Sequence, residues 1–267
     1  MQNTVHAAPV EQPPVLDAHM LEKLPDSEKN SEFIAIEPKS FLQDTWRKFR
    51  KNKLAVSGLI FLALMVLCVI LVPALSPYTY DGQDLANKNL MPSWEHPFGT
   101  DKLGRDILVR VMYGGRISLS IGFAAAAINL CIGILYGGIA GYFGGKVDNI
   151  MMRIIDVIYS VPDLLYIILI LMVFGNNVQS MLIAISITSW VQMARQVRTQ
   201  VMSLKEMEFS LAAQVIGASR KRILFKHLIV NALGPIIVCL TMMVPSAIFT
   251  EAFLSFVGIG ITAPESS

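Results

Sequence analysis

At 267 residues, 54% hydrophobic and only 16% charged, the chain is too apolar for a soluble domain of ordinary composition, and the bilayer is its natural solvent. Its net charge of +2 gives no reason to expect nucleic acid as a partner. Cys68, Cys131 and Cys239 all lie in apolar runs without CxxC or Cys/His spacing, which indicates neither a disulfide framework nor a zinc site.

Residues 1 to about 38 carry Pro9, Pro13, Pro14, Pro25 and Pro38 among scattered charges, which predicts a disordered cytoplasmic tail. It does not read as a signal peptide, because the first long apolar run begins only at Leu54. Over 39–53, Phe41, Leu42, Trp46 and Phe49 interleave with Arg47, Lys48, Arg50, Lys51 and Lys53. That pattern suits a basic amphipathic helix on a membrane surface, with a solvated helix as the other reading.

From residue 54 to 267 the chain reads as one membrane domain, an all-α polytopic bundle. Five spans are expected, at about 54–75, 117–139, 150–174, 178–194 and 228–253, each near the 20 residues that a hydrocarbon core requires. Between the first two lies a polar loop, 76–115, rich in Asp and Pro. Gly137, Gly138, Gly141, Gly144 and Gly145 punctuate a tight turn, or serve close helix packing. Gly175-Asn176-Asn177 forms a short uncharged turn. A basic loop occupies 195–227, and the fifth span carries Pro235 and Pro245.

Lys and Arg are concentrated in 39–53 and 195–227, which places both on the cytoplasmic side and the 76–115 loop outside. The N-terminus is then cytoplasmic. Five spans leave the other end outside, so a sixth helix is expected after Ser267, where an apolar run stops at Ala263-Pro264-Glu265-Ser266-Ser267.

The informative segment is Glu208-Phe209-Ser210-Leu211-Ala212-Ala213-Gln214-Val215-Ile216-Gly217-Ala218-Ser219. Lys205 to Ile216 predicts a short helix with Phe209, Ala213 and Ile216 along one side. Gly217 suits a left-handed stop, and Ser219 can cap the next helix. Small Ala212 and Ala213 would let another protein approach the backbone closely; an ordinary interfacial helix–turn–helix is the alternative.

Here the sequence resembles the cytoplasmic coupling motif of ABC-importer permeases, with Ala212-Ala213 and Gly217 in register and Leu211, His227 and Val230 departing from the usual residues. A second segment, His96-Pro97-Phe98-Gly99-Thr100-Asp101-Lys102-Leu103-Gly104-Arg105-Asp106 with Arg116-Ile117-Ser118-Leu119 beyond, resembles the signature of the oligopeptide and dipeptide permeases, OppC/DppC type. Asn52-Lys53-Leu54-Ala55, Asp156 with Val161-Pro162, and the run from Thr250 to Gly260 extend the resemblance over about 40–263. The resemblance implies a type I importer permease of usually six spans, multi-pass in a bacterial cell membrane among its lipids. It implies a homologous second permease subunit, two ATP-binding subunits carrying ATP and Mg, an external peptide-binding protein and a peptide substrate. It places ATPase coupling on Glu208, Leu211, Ala212, Ala213, Gly217, Ala218 and Ser219. The external signature is carried by Gly99, Thr100, Asp101, Gly104, Arg105 and Asp106.

No cofactor or metal is expected on this chain. Gly145-Lys146 fails the phosphate-loop form, because Ala140 and Val147 stand where Gly and Ser or Thr are needed. His6, His19, His96 and His227 are too dispersed for a metal site. No nucleophile–base constellation appears, so catalysis is not expected. Asp156 and Asp163 would share a face of one helix roughly 10 Å apart unless Pro162 bends it sharply. They read as structural or gating groups, with substrate contact as the other possibility. Glu251 reads either as an outer gate or partner contact, or as an interfacial carboxylate. An intramembrane aspartyl protease and a structural scaffold are the readings from other classes.

Overall fold

The computed structural model describes residues 41–261, without the side chains of 41–44, and among the described residues every regular element is helical. The expectations for 1–38 and for residues beyond 261 lie outside the described residues. The chain divides into two compact units, up to Gly58 and from Leu59 onward.

In the first unit α1 (Phe41–Lys51) ends on Lys48, Arg50 and Lys51, which complement the negative end of the helix dipole. Trp46 and Phe49 stack with ring centroids 5.7 Å apart. The helix α2 (Lys53–Leu75) begins here and continues into the second unit; of its 23 residues only Val69 is buried. So apolar an outer surface has hydrocarbon as its compatible surroundings.

The second unit is built around two long helices. The first, α3 (Ile107–Phe143), has 37 residues and so a length of about 55 Å. It encloses the expected 117–139 span and extends beyond it at both ends. Its start is set by Asp106, whose carboxylate accepts from the Val109 N–H at 2.8 Å. Gly137, Gly138 and Gly141 lie inside this helix rather than in a turn. The turn falls on Gly144 and Gly145, at φ +64° and +53°.

Gly133, Gly137 and Gly141 make a stripe at four-residue spacing against α6 (Val178–Lys205). A methyl group on Gly137 would overlap the carbonyl oxygen of Ala194, so only glycine allows the two backbones this approach. The helix α6 is the centre of the bundle, packed by α3, α9, α5 and α4. It was expected to end at Ala194, where polar residues begin, yet it runs eleven residues further to Lys205. Met181, Ala184, Ile185, Thr188, Val191, Ala194, Val197 and Val201 form its buried side. The other side of α6 stays open, with Ile183, Ile187 and Met202 exposed.

The expected third span is two helices, α4 (Gly145–Tyr159) and α5 (Asp163–Phe174), bent by 72° at the break. Pro162 has no N–H to continue the ladder and opens α5 from its N-cap position. After α6 come α7 (Glu208–Val215), a single turn α8 (Arg220–Arg222), a wide π-type turn Ile223–Leu228 and α9 (Ile229–Val257). The last three run on as one rod over Arg220–Val257, longer than the 228–253 expected. Among the described residues three helices are long and apolar enough to cross a bilayer: α2, α3 and this rod. The bent pair makes a fourth if it crosses as one. The difference from the five expected is α6, whose run of polar residues keeps it out of this set, while Ser180, Ser186 and Thr188 among them are buried in the bundle.

A small cluster of Ile155, Val191 and Ala194 and two larger cores hold the unit together. One joins α3, α5, α6 and α9 through Ile121, Ile167, Met181, Ala247 and Leu254. The other joins Tyr142 of α3, Val197 and Val201 of α6, Ala213 of α7, and Ile223, Leu228 and Ala232 of the rod.

Candidate functional site

The second core carries the coupling candidates. Only Ser210 and Ala213 of α7 are buried, three residues apart and therefore on one face. Met207, Leu211, Val215 and Ile216 are exposed, the last two above 80%, and Ala212 is exposed with them. This refines the expected pattern: of Phe209, Ala213 and Ile216, only Ala213 is buried, turned inward where no partner reaches it, while the other two are exposed. Of the two alanines, only Ala212 is open to close approach.

The end of α7 is a Schellman motif. The Ala218 N–H donates to the Ala213 carbonyl and the Gly217 N–H to that of Gln214, each at 3.0 Å. Gly217 stands at φ +81° with open space where a side chain would point. Ala218 packs against the same core as Ala213. Ser219 then accepts from the Arg222 N–H and starts the rod, so the stop and the cap expected from Gly217 and Ser219 are both formed. Glu208 stands in the first turn of α7, where its charge suits the dipole.

The signature residues fold the loop that precedes α3. His96 Nδ1 lies 2.8 Å from Asp106 Oδ2, both side chains buried, so one carboxylate holds the histidine and caps α3. The Thr100 hydroxyl donates to the Asn87 carbonyl and accepts from the Leu90 N–H. Gly99 and Gly104, at φ +75° and +74°, press against the carbonyls of Leu90 and Asp84. Arg105 Nε donates to Asp101 at 2.8 Å. The motif is thus a self-bracing turn in which each of the six residues has a conformational task.

Burial pushes the Asp101 carboxyl up. Hydrogen bonds from the Arg105 and Leu103 N–H groups and from the Arg105 side chain outweigh it and hold the carboxyl below the usual carboxylate range. The folded loop therefore binds this proton more weakly than the unfolded chain. Its contribution is complete above the ordinary carboxylate value of about 4 and is lost as pH falls through the lowered one. Pepsin nicking of the loop is expected to accelerate across that window, with a smaller acid step in Asp101→Asn.

The three ionisable groups expected to gate are not gathered in one place. Asp156 is on α4 and accepts from Arg195 Nη2 at 2.8 Å, while the guanidinium carbon stands 4.8 Å over the Tyr159 ring. Asp163 is across the bend, in the first turn of α5, so the two do not share a helical face. Glu251 is fully buried, which overturns its reading as an interfacial carboxylate. It accepts from Ser118 of α3 at 2.6 Å and from Ser255 at 3.1 Å, tying α9 to α3. A cavity of about 790 Å³ opens among α5, α6 and α9 and is lined by Asp163, Arg195, Gln192, Thr250 and Phe253 among others.

Residues 133–267 match the family described as binding-protein-dependent transport system inner membrane component. Residues 40–92 match the N-terminal TM domain of oligopeptide transport permease C. A dipeptide transport system permease protein of Bacillus subtilis is 47% identical over 91% of this chain and 76% of its own length. The oligopeptide transport system permease proteins of Bacillus subtilis and Escherichia coli K12 are each 47% identical, over 93% and 90% of this chain and 82% and 80% of theirs. The chain belongs to this permease family.

Several groups that organise the permease escaped sequence reasoning. Arg198 of α6 makes a bidentate pair with Asp148 of α4, buried on the carboxylate side. Asp148 had a signal, an acid in the first turn of a helix, but its partner was assigned to a loop. Ser118 had none, being an ordinary hydroxyl in an apolar run. The protease alternative needs two carboxylates sharing a proton, and Asp156 is engaged by a guanidinium instead.

Proposed function

We propose that the permease forms, with a homologous second subunit, the pathway by which an ATP-driven importer takes up short peptides delivered by an external binding protein. Its relatives carry oligopeptide and dipeptide transport in their names. The reading places the N-terminus and the α6–α9 connection in the cytoplasm, in keeping with the basic residues of 39–53 and 195–227. ATP and Mg are held by two partner subunits.

The observation that carries the reading is the two-sided α7. Its inner face, Ser210 and Ala213, is locked into the core that contains α6 and the Arg220–Val257 rod. Its outer face presents Met207, Leu211, Ala212, Val215 and Ile216 to a partner. A helix so anchored passes a push from an ATPase subunit directly to two bundle helices, a rigid-body change that biases the pathway between two states.

The test separates the faces. In the complete transporter reconstituted in vesicles, Ala212→Arg is expected to leave the subunit folded while abolishing ATP-coupled peptide uptake. Ala213→Arg buries a charge and is expected to lose the folded subunit itself. Normal uptake and coupled hydrolysis in Ala212→Arg would show that α7 is not the coupling element.

A further inference from the structure

We propose that the cavity among α5, α6 and α9 is a subsite for the charged termini of a zwitterionic peptide, with Arg195 taking the carboxylate and Asp163 the ammonium group. The inference rests on the peptide reading above and assigns residues to it. Both charges line one cavity, carried by different helices. The Arg195–Asp156 pair is solvent-accessible, with side-chain exposures of 42% and 63%. The guanidinium offers five N–H donors, and the bond to Asp156 comes from one nitrogen, Nη2. A ligand carboxylate can therefore bind beside Asp156 or displace it, and Tyr159 under the guanidinium holds the plane in position for a forked contact.

The rest of the lining is uncharged and mixes Thr188, Ser189, Gln192 and Thr250 with apolar side chains such as Ile167 and Phe253. Such groups accept backbone amides without selecting side chains. Asn129 also borders the cavity; the residue is 1% exposed, and its Oδ1 has no hydrogen-bond partner among the described residues. The volume lies in the range that encloses a small ligand of a few residues.

The experiment uses the complete transporter in vesicles, with one binding protein throughout. The probes are tri-alanine, its C-terminal amide and its N-acetyl form. Comparing uptake ratios between variants cancels whatever preference the binding protein itself has. Arg195→Gln is expected to lower the ratio of tri-alanine to amide uptake about tenfold, the effect of one lost charge-assisted contact, with partial return in Arg195→Lys. Asp163→Asn is expected to lower the ratio of tri-alanine to N-acetyl uptake in the same way. Asp156→Asn removes the same ion pair but leaves the guanidinium, so it is expected to retain the carboxylate ratio. Equal loss of both substrates in Arg195→Gln, unchanged ratios, or a collapse of the ratio in Asp156→Asn would each overturn the subsite. A wild-type complex that imports none of the three overturns the peptide reading and the subsite together, whereas normal import with unchanged ratios overturns the subsite alone.

Discussion

Gly137→Val is expected to unfold the permease at a temperature about 10 °C or more below that of the wild type, a loss of about 3 kcal/mol or more. A side chain there collides with the Ala194 carbonyl oxygen and approaches the Arg198 backbone nitrogen at 3.0 Å. Backbone cannot swing aside as a side chain can, so α3 and α6 must separate. Both cores contain residues of α3 and α6, which is why the damage spreads. The neighbouring glycine supplies the control: a methyl on Gly138 meets Leu224 Cδ1 at 3.6 Å, an ordinary contact. Gly138→Ala is therefore expected to melt near the wild type. A Gly137→Val protein with wild-type melting in detergent would show that the α3–α6 approach is not required.

The second large effect is expected at the Arg198–Asp148 pair. Arg198→Gln leaves a carboxylate that is 7% exposed without its cation. Removing one member of a buried pair costs about 3–5 kcal/mol, and the partial exposure of Arg198 puts this case at the lower end. The double variant Asp148→Asn with Arg198→Gln is expected to recover more than about 1 kcal/mol of that loss, because it removes the stranded charge as well. Thermal melting of the four proteins in one double-mutant cycle measures the coupling. Additive losses would mean that the two groups act separately.

What the sequence revealed, and what it hid, follows from what surrounds each residue. The apolar stretch of α2 was legible because lipid-compatible surface is a property of composition alone. The end of α6 was not, since Gln192, Arg195 and Arg198 read as the end of the helix when they lie within one that continues to Lys205. Pro162 signalled a break, but the 72° bend that separates Asp156 from Asp163 is set by packing on both sides. Ala212 and Ala213 are indistinguishable as letters. Only the core around Val201 and Leu228 decides that Ala213 is the anchor and Ala212 the open surface. Glu251 looked like a group at a membrane boundary because its partner Ser118 is far away in the chain. The stop at Gly217 and the cap at Ser219 were readable, for both depend on bonds within a few residues.

The polarity of α6 also bears on how the protein is made. On leaving the ribosome, α2 has the composition to partition into lipid without company. The centre of α6, with Ser186, Thr188, Ser189 and Gln192, has far less to gain from hydrocarbon. Its seat in the bilayer is therefore prepared by chain synthesised earlier. The glycine stripe of α3 is already in place when α6 emerges, so the groove that receives the central helix exists before the helix does.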